Sequence, residues 1–567
     1  TTLFLSCNQI NQCWSKLIFL KKLNIKINDM KIFKILCLAY ISIVLLSCKK
    51  NVLDKQPLSE INSDLIFVDI KLSNLYLNNA YLGLEGGIEQ NLDATTETED
   101  DGPDWHPTQL WNLGDVNPVN SSFEDWFGVW NRYYTNIRIV NTVLQNYKTI
   151  KASKIEIDRL KGQAYFLRAH YYSNLLSRYN GVPIIKIPQK LGDDISVPRN
   201  SWDEGIAFVV SDLDSASILL PVAWENSNDI GRATKGAALA QKARMLLYDA
   251  SPLHNLSNNK TKWQIAADAA KAVIDLKNYD LYPDYYEVFH LDNNSEVIFA
   301  NQFQHPVRTQ NSEYKQNPQQ LEGAYGELRP TEDFVSSYEM ANGKKITDPT
   351  SDYDPQNPYI GRDPRFYKTI LYNGADWRGI NVETFMDGAN GPGENDEYGT
   401  GLSMTGYYSR KFINEKYQII DNNSRSNSDW ILIRYAEVLL NYAEAQLNLD
   451  NESEAITYLN KIRKRVGMPD IPNSETGATL IARYRNERRI ELAFEEHHFF
   501  DLRRWKTAPL VIGKPVHKMS IVKNNDDSFA YSVEEMEDRV WNDKLYYWPI
   551  PQDEINKNKN LVQNPGY

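Results

Sequence analysis

Apolar and small residues recur at helical spacing along most of this chain. The clearest run covers 434–449, where one helical face carries such residues at i, i+3, i+4, i+7 and i+11, namely Ala436, Leu439, Leu440, Ala443 and Leu447. The same periodicity predicts helices over the ranges 64–84, 123–148, 154–179, 202–220, 234–250, 261–277, 430–449, 452–465 and 478–505. The pattern therefore favours a mainly α-helical protein.

The predicted helices also recur in pairs. The segment 443–463 reads as helix, turn and helix, close to the tetratricopeptide pattern of about 34 residues. An earlier pair has similar small or apolar positions, namely Ala240, Ala243 and Leu247, then Ala266, Ala267, Ala270 and Val273. We therefore expect a single body over 63–567 that contains tetratricopeptide-like helical repeats over about 63–88, 123–277 and 430–505.

The segments 89–122 and 278–429 lose the helical periodicity and read as long loops rich in aromatic, glycine and polar residues. Their rings are Trp105 and Trp111 in the first segment, and Phe303, Tyr314, Tyr325, Tyr353, Tyr359, Tyr372, Trp377, Tyr398, Tyr407 and Tyr408 in the second. An exposed ring can stack on the apolar face of a pyranose while neighbouring amides and carboxylates bind the hydroxyls. The loops thus favour carbohydrate binding, with a satellite core or a protein interface as alternatives.

Charge and cysteine usage narrow the possible functions. The chain has 62 Lys and Arg against 74 Asp and Glu, a net charge of −12, so we expect no nucleic-acid partner. All four cysteines lie within the first 48 residues, at Cys7, Cys13, Cys37 and Cys48. The remainder of the chain therefore has no disulfide, cysteine nucleophile or cysteine metal site.

The first 62 residues resemble a lipoprotein leader. We expect translation to start at Met30, which makes 1–29 an upstream extension. A basic start and an apolar run over 30–47 predict a secretory signal peptide, and the Leu-Leu-Ser-Cys sequence that ends at Cys48 resembles a lipobox. Acylation of Cys48 would anchor the protein to a membrane, with 48–62 as the lipidated cysteine and tether. An ordinary signal peptide is the alternative.

The sequence shows neither a phosphate-binding glycine loop nor a nucleophile elbow, and we expect neither catalysis nor a cofactor. Adjacent His497 and His498 would point about 100° apart on a helix, which favours packing over shared metal ligation. The acidic residues at 97–104 lack the spacing of a calcium loop, so a solvated surface is favoured over a structural calcium site. A glycosidase carboxylate pair is not excluded, because its separation is a three-dimensional property.

Several motifs, in order along 48–567, resemble those of the SusD/RagB family of outer-membrane nutrient-uptake lipoproteins. They are the segment 53–57 after the lipobox, Ala-Tyr-Phe-Leu-Arg-Ala at 164–169, Asn-Gly-Val-Pro at 180–183, the segments 330–343 and 433–440, Arg-Asn-Glu-Arg-Arg at 485–489, Phe-Asp-Leu-Arg-Arg-Trp at 500–505 and Asn-Pro-Gly-Tyr at 564–567. The chain is identified as a member of this family on these motifs.

The resemblance implies a scaffold of four tetratricopeptide-like helix pairs and an irregular α+β half whose loops carry the ligand site. It implies a non-catalytic protein of the outer membrane that captures glycans and delivers them to a TonB-dependent, SusC-like transporter, which it covers as a lid. Family analogy alone supports exposure to the cell exterior. Peptide capture by the same lid mechanism, a surface glycosidase and an interaction scaffold are the rival functions.

The family's ligand loops have no fixed motif, so only regions can be transferred to this chain. These regions are the loops 89–122 and 278–429. A C-terminal segment, 506–567, completes the body and is not one of the ligand loops. Within them the predicted ligand contacts are Asp101, Trp105, Asn112, Tyr325 and Trp377. The arginine and glutamate residues of 485–505 are expected to pair with one another as part of the scaffold.

Overall fold

The computed structural model of the chain describes residues 66–86, 92–100, 108–119, 128–190, 192–304, 307–310, 312–318, 326–393, 402–416 and 426–567. The predicted signal peptide, the lipidation site Cys48 and the tether fall outside these residues. Residues 66–567 form one compact unit.

Helices predominate in the described residues, which confirms the predicted mainly α fold. In chain order they are α1 (Ile70–Tyr81), α2 (Thr108–Asn112), α3 (Trp130–Asn146), α4 (Lys154–Tyr179), α5 (Trp202–Leu219), α6 (Lys235–Ala250), α7 (Lys260–Asp275), α8 (Ser312–Gln316), α9 (Glu332–Val335), α10 (Phe366–Thr369), α11 (Tyr435–Asn448), α12 (Glu452–Arg465), α13 (Gly477–Glu491), α14 (His497–Arg504), α15 (Ala508–Val511) and α16 (Gln552–Lys557). Among the residues described, none of these helices combines the length and apolar character needed to cross a bilayer.

Two long helices begin at capping boxes that are visible in the sequence. Ser153 Oγ accepts the backbone N–H of Glu156 at 3.3 Å, and the Glu156 carboxylate accepts the N–H of Ser153 at 2.9 Å, which caps α4. Ser201 and Glu204 form the same pair of bonds before α5. Such caps satisfy donors that the first helical turn leaves unpaired. Both helices begin at the predicted residue for this local reason.

The long helices stack on their neighbours in chain order from α3 to α7. Helix α7 then packs on α11, which packs on α12, so the helices on either side of the insert belong to one array. Alanines allow the close approach of α6 and α7: Ala240, Ala243, Ala266 and Ala270 are at most 2% exposed. This arrangement is consistent with the predicted tetratricopeptide-like repeats.

The strands are short and pair antiparallel. They are β1 (Glu99–Asp100), β2 (Val297–Asn301), β3 (Arg329–Pro330), β4 (Ile370–Leu371), β5 (Asp376–Trp377), β6 (Ile380–Asn381), β7 (Tyr408–Ser409), β8 (Trp430–Arg434), β9 (Val516–Lys523) and β10 (Phe529–Glu537). The pairs are β1 with β3, β2 with β8, β4 with β7, β5 with β6 and β9 with β10.

Four predicted helices have different bounds in the structure. Those predicted over 64–84 and 123–148 are observed at Ile70–Tyr81 and Trp130–Asn146, and two more differ because of long-range pairing or backbone geometry. The helix predicted over 430–449 begins only at Tyr435, because the preceding residues form β8 and pair with β2, more than a hundred residues earlier. The helix predicted over 478–505 is divided into α13 and α14 by left-handed backbone at Phe494 (φ 59°) and Glu496 (φ 62°). Local periodicity continues through both places, so long-range pairing and backbone geometry set these boundaries.

The insert has a hydrophobic core of its own. Phe334, Tyr338, Tyr359 and Tyr407 pack there with Met519 and other residues of the β9–β10 hairpin. The hairpin belongs to the C-terminal segment, so the end of the chain completes the core of the insert. The loop-rich half is therefore held by buried apolar contacts that span the sequence.

Several charged residues of 485–505 are buried and paired, as expected for the scaffold. Arg488 lies 2.6 Å from Asp501, and Arg504 lies 2.8 Å from the same carboxylate. Glu487 instead reaches Arg365 of the insert at 2.6 Å. The pairing therefore holds within this segment and also extends beyond it.

Candidate ligand-binding site

The β1–β3 ladder brings the two predicted ligand loops to one place. Asp100 lies opposite Arg329 in antiparallel register. The loop 101–107 directly follows Asp100 in the chain. Three residues, 326–328, separate the loop 319–325 from Arg329. Both loops therefore connect to the same end of this ladder, which we take as the candidate ligand-binding site.

Three of the five predicted ligand contacts belong to these two loops. Asp101 and Trp105 lie in the first loop and Tyr325 in the second, and all three fall outside the described residues. Their role as ligand contacts stays a prediction. The structure shows that the two loops join the body at adjacent positions, because Asp100 pairs with Arg329.

The ion pair between buried Arg539 and partly buried Glu537 holds both ends of the loop 101–107. Arg539 Nε lies 2.6 Å from Glu537 Oε1, and Arg539 Nη2 donates to the backbone oxygen of Glu99 at 3.1 Å. Glu537 also accepts from Gln109 Nε2 at 3.2 Å. Glu99 precedes the loop and Gln109 follows it. The Arg539–Glu537 pair therefore fixes the two ends relative to each other, in a setting where charge-assisted hydrogen bonds are strong.

Asn112 is one of these anchors and does not lie on an exposed surface. It is 1% exposed, its amide donates to Glu537 Oε1 at 3.4 Å, and its backbone oxygen accepts from Val540 at 2.7 Å. A side chain enclosed in this way offers a ligand no accessible face. The expectation that Asn112 contacts the ligand is corrected to a positioning role behind the loop.

The loop 319–325 has a corresponding pair of anchors. Lys315 Nζ lies 3.0 Å from Glu327 Oε2, and the Glu327 N–H donates to the Lys315 backbone oxygen at 2.8 Å. These two residues stand on either side of the loop. The described chain therefore closes the base of this loop with one ion pair and one backbone hydrogen bond.

Trp377 supports the same loop from the interior. Its ring is 1% exposed, and Nε1 donates to Asn317 Oδ1 at 3.0 Å. The guanidinium groups of Arg378 and Arg410 lie over the ring at 5.0 and 5.6 Å. No face remains for stacking on a sugar, so the predicted ligand contact at Trp377 is corrected to a core residue that positions Asn317.

Other aromatic residues of the insert are also interior. Tyr407 and Tyr408 are 0% exposed and Tyr359 is 8% exposed. Tyr407 donates to Glu332 at 2.5 Å, and Tyr408 donates to the Asn390 backbone oxygen at 2.8 Å. For these rings the satellite-core alternative is confirmed. At least some of the many aromatic residues of the insert are therefore explained by packing in its interior rather than by ligand binding.

The acidic run beside the site is not a solvated surface where the structure describes it. Glu99 is 1% exposed, and Glu97 lies 3.0 Å from Arg489 and 2.9 Å from His498 Nε2. Burial by itself would raise the pKa of Glu97, but the charges of Arg489 and His498 lower it to about 2. The carboxylate is therefore ionised and paired at neutral pH, and Asp101 and Asp104 lie outside the described residues.

The adjacent histidines have separate partners. His497 Nε2 lies 4.0 Å from Glu437, whereas His498 contacts Glu97. Across the part of the chain that the structure describes, no group of three or more His, Cys, Asp or Glu side chains is arranged to hold a metal ion. The histidines therefore pack within the scaffold, as their spacing predicts.

The sequence analysis did not predict that Glu537 and Arg539 anchor the loop 101–107. Both lie near the end of β10, more than 400 residues from the loop that they anchor. They belong to no motif singled out in the sequence. Only the fold brings them next to β1 and α2.

Comparison with known proteins gives concordant results. Residues 295–567 match the family described as "SusD family", and residues 51–247 match the family described as "Starch-binding associating with outer membrane". The SusD-like protein P2 of Formosa agariphila is 25% identical over 480 residues, which are 81% of this chain and 82% of that protein.

Two solved structures from Bacteroides fragilis are similar over nearly their whole length. A SusD-like protein is 30% identical with a TM-score of 0.77, over 90% of this chain and 100% of the other. A SusD-like carbohydrate binding protein is 25% identical with a TM-score of 0.75, over 88% of this chain and 100% of the other.

Proposed function

This chain belongs to the SusD family, and we propose that it is a non-catalytic lipoprotein that captures glycans at the cell surface and delivers them to a TonB-dependent outer-membrane transporter. The family is associated with the outer membrane and with carbohydrate binding. In this proposal Cys48 carries the lipid anchor, and the acyl chains hold the protein on the membrane without a spanning helix.

The observation that carries the proposal is the common base of the two ligand loops. The Arg539–Glu537 and Lys315–Glu327 pairs fix loops that together carry Asp101, Trp105 and Tyr325. A rigid base with aromatic and acidic side chains on its loops suits sugar recognition, because stacking and hydroxyl hydrogen bonds need fixed relative positions. The helical array supplies a separate broad surface for the transporter.

The first experiment is binding of the chain from Lys49 onward to a panel of plant, fungal, microbial and host polysaccharides and to peptide mixtures. Calorimetry measures affinity, and released reducing ends measure cleavage. We expect binding without cleavage. Trp105→Ala should weaken binding about tenfold, since one aromatic stacking contact is worth on the order of 1 kcal/mol or more.

Trp224→Ala provides the control, because Trp224 lies in the connection between α5 and α6, where its indole N–H donates to the backbone oxygens of Arg232 and Ala233. It should bind the same glycan as the unchanged protein. Cleavage of the polysaccharide would make the protein a glycosidase and overturn the proposal. Binding of peptides with none of the polysaccharides bound would assign it to peptide uptake.

A further inference from the structure

Three adjoining cavities form a groove on the body outside the two ligand loops. The middle cavity, of about 480 Å³, shares Pro283 and Arg465 with one neighbour of about 290 Å³. It shares Asp280 and Tyr435 with the other neighbour, of about 370 Å³. The end cavities share no lining residue, so the three follow one another in a row. Volumes of this size are typical of ligand sites.

Each cavity of this groove carries at least one exposed lysine. Lys277 lines the first end, Lys461 and Lys464 line the middle, and Lys368 lines the other end. Within the described residues, none of the four lies within ion-pair distance of a carboxylate. The chain as a whole has a net charge of −12, so this row of lysines is a local concentration of positive charge on an acidic protein.

The two aspartates that line the groove are already engaged by backbone donors. Asp280 accepts the N–H of Leu281 at 2.8 Å, and Asp284 accepts the N–H of Tyr286 at 2.8 Å. These bonds orient the two carboxylates and leave both negatively charged. The lining carries four lysines against these two aspartates, and its two arginines are already paired with carboxylates, so the groove presents a net positive surface.

Arg465 adds a buried donor without a partner. Its side chain is 4% exposed, and its terminal nitrogens bind Glu296 at 3.0 Å and Glu491 at 2.6 Å. Its Nε atom has no hydrogen-bond partner, although Arg465 lines both the middle cavity and one end cavity. A buried N–H that lacks a partner is costly, and a small movement of the groove wall would expose it to an acceptor on a ligand.

We propose that this groove binds an extended anionic polysaccharide whose carboxylate or sulfate groups recur along the chain. The inference rests on the proposed glycan capture and names the charge class of the glycan. Lysines in all three cavities suit repeated charges better than a single anionic group. Lysine is a compact point charge on a flexible stem, so it tolerates differences in spacing among the ligand's charges. Tyr435 and Pro283 supply apolar surface between the lysines.

The test compares polysaccharides that share a backbone and differ in charge: dextran sulfate against dextran, and polygalacturonate against its methyl ester. The full chain in detergent is titrated by calorimetry at low and high salt. We expect it to bind the charged member of at least one pair preferentially. Binding should weaken as NaCl rises from about 0.05 M to about 0.5 M, because salt screens exposed charges.

The diagnostic variant combines Lys368→Gln, Lys461→Gln and Lys464→Gln. It should lose about tenfold in affinity for the charged polysaccharide, the combined effect of three exposed charge contacts. The matched control combines Lys148→Gln, Lys190→Gln and Lys559→Gln, three exposed lysines outside the groove, and changes net charge equally. The control should change affinity less than twofold, and both variants should keep the unchanged protein's thermal melting.

The remaining outcomes separate this inference from the proposed function. Equal loss in the two triple variants would overturn the groove as the site. Binding of neutral glycans alone would overturn the inference and leave glycan capture standing. Binding of poly-glutamate with no anionic polysaccharide bound would assign the groove to an acidic polypeptide and overturn the polysaccharide assignment. Failure to bind any of these four polysaccharides would overturn this inference, whereas the proposed function fails only if no member of the broader polysaccharide panel binds.

Discussion

At the scale of single residues, burial places two of the predicted ligand contacts in the interior behind the candidate site. Asn112 and Trp377 have the residue types of sugar contacts, yet each is 1% exposed and hydrogen-bonded behind a loop. Amide and indole groups serve both purposes, because the donors that bind sugar hydroxyls also bind buried acceptors. The residue types in a loop therefore predict where a site lies better than they predict which side chains contact the ligand.

Trp377→Phe tests the positioning role. The change removes the Nε1 donor to Asn317 and part of the ring volume, so the free energy of unfolding should fall by about 1–2 kcal/mol, measured by denaturant titration. Trp377→Ala should cost about 3–5 kcal/mol because it also opens a cavity. Loss of glycan affinity in Trp377→Phe with unchanged stability would instead restore Trp377 as a ligand contact.

At the scale of elements, local sequence signals locate helices well and the site poorly. Helices α4 and α12 have the predicted bounds, and the capping box at Ser153 accounts for the start of α4. The two-residue strands β1 and β3 have no periodicity to detect, because alternation needs several residues. They nevertheless bring the described ends of the two predicted ligand loops together, and Arg539, far away in sequence, holds β1 in place.

Arg539→Met tests this anchor. The change removes the bond to the Glu99 backbone oxygen and the pairing with Glu537, so both ends of the loop 101–107 should loosen. Amide hydrogen exchange should accelerate at 98–100 and 108–112, with the helical array unchanged. Arg199→Met is the control, because Arg199 donates to the backbone oxygens of Gly181 and Tyr179 elsewhere. Unchanged exchange around the loop in Arg539→Met would contradict the anchoring role.

At the scale of the whole molecule, buried charges join the helical array to the insert. Arg365 of the insert reaches Glu487 at 2.6 Å and Glu491 at 3.1 Å, both on α13. Arg463 of α12 in turn reaches Glu487 at 2.8 Å and Glu339 of the insert at 3.0 Å. Removal of one partner from such a network leaves an uncompensated buried charge. The two halves should therefore unfold together, with near- and far-ultraviolet circular dichroism changing in one transition.

Acid stability provides a second test at this scale. Glu444 on α11 lies 2.6 Å from Arg504 and accepts from Tyr484 at 2.6 Å. Burial by itself would raise the pKa of Glu444, but Arg504 lowers it to about 2, below its unfolded value near 4.5. A lowered folded-state pKa stabilises the protein above pH 4.5, and this stability is lost as pH falls toward 2.

The part of the free energy of unfolding that is lost through protonation of Glu444 should be about 3 kcal/mol, at about 1.4 kcal/mol for each unit of pKa. Glu444→Gln should therefore be less stable than the unchanged protein at pH 7 and show a smaller decline between pH 4.5 and pH 2, measured by urea unfolding. Parallel pH profiles for the two proteins would show that the Glu444 carboxylate contributes nothing to acid sensitivity.

The sequence by itself determined the helical class, most helix positions and the family motifs, because periodicity, capping and short motifs act over a few neighbouring residues. It also located the two loop regions that the β1–β3 ladder joins. Only the tertiary structure decided which aromatic rings are core, where β8 replaces a helix, and that Glu537 and Arg539 hold the loop 101–107. Burial and ion pairing depend on partners hundreds of residues away, which no local pattern in the chain specifies.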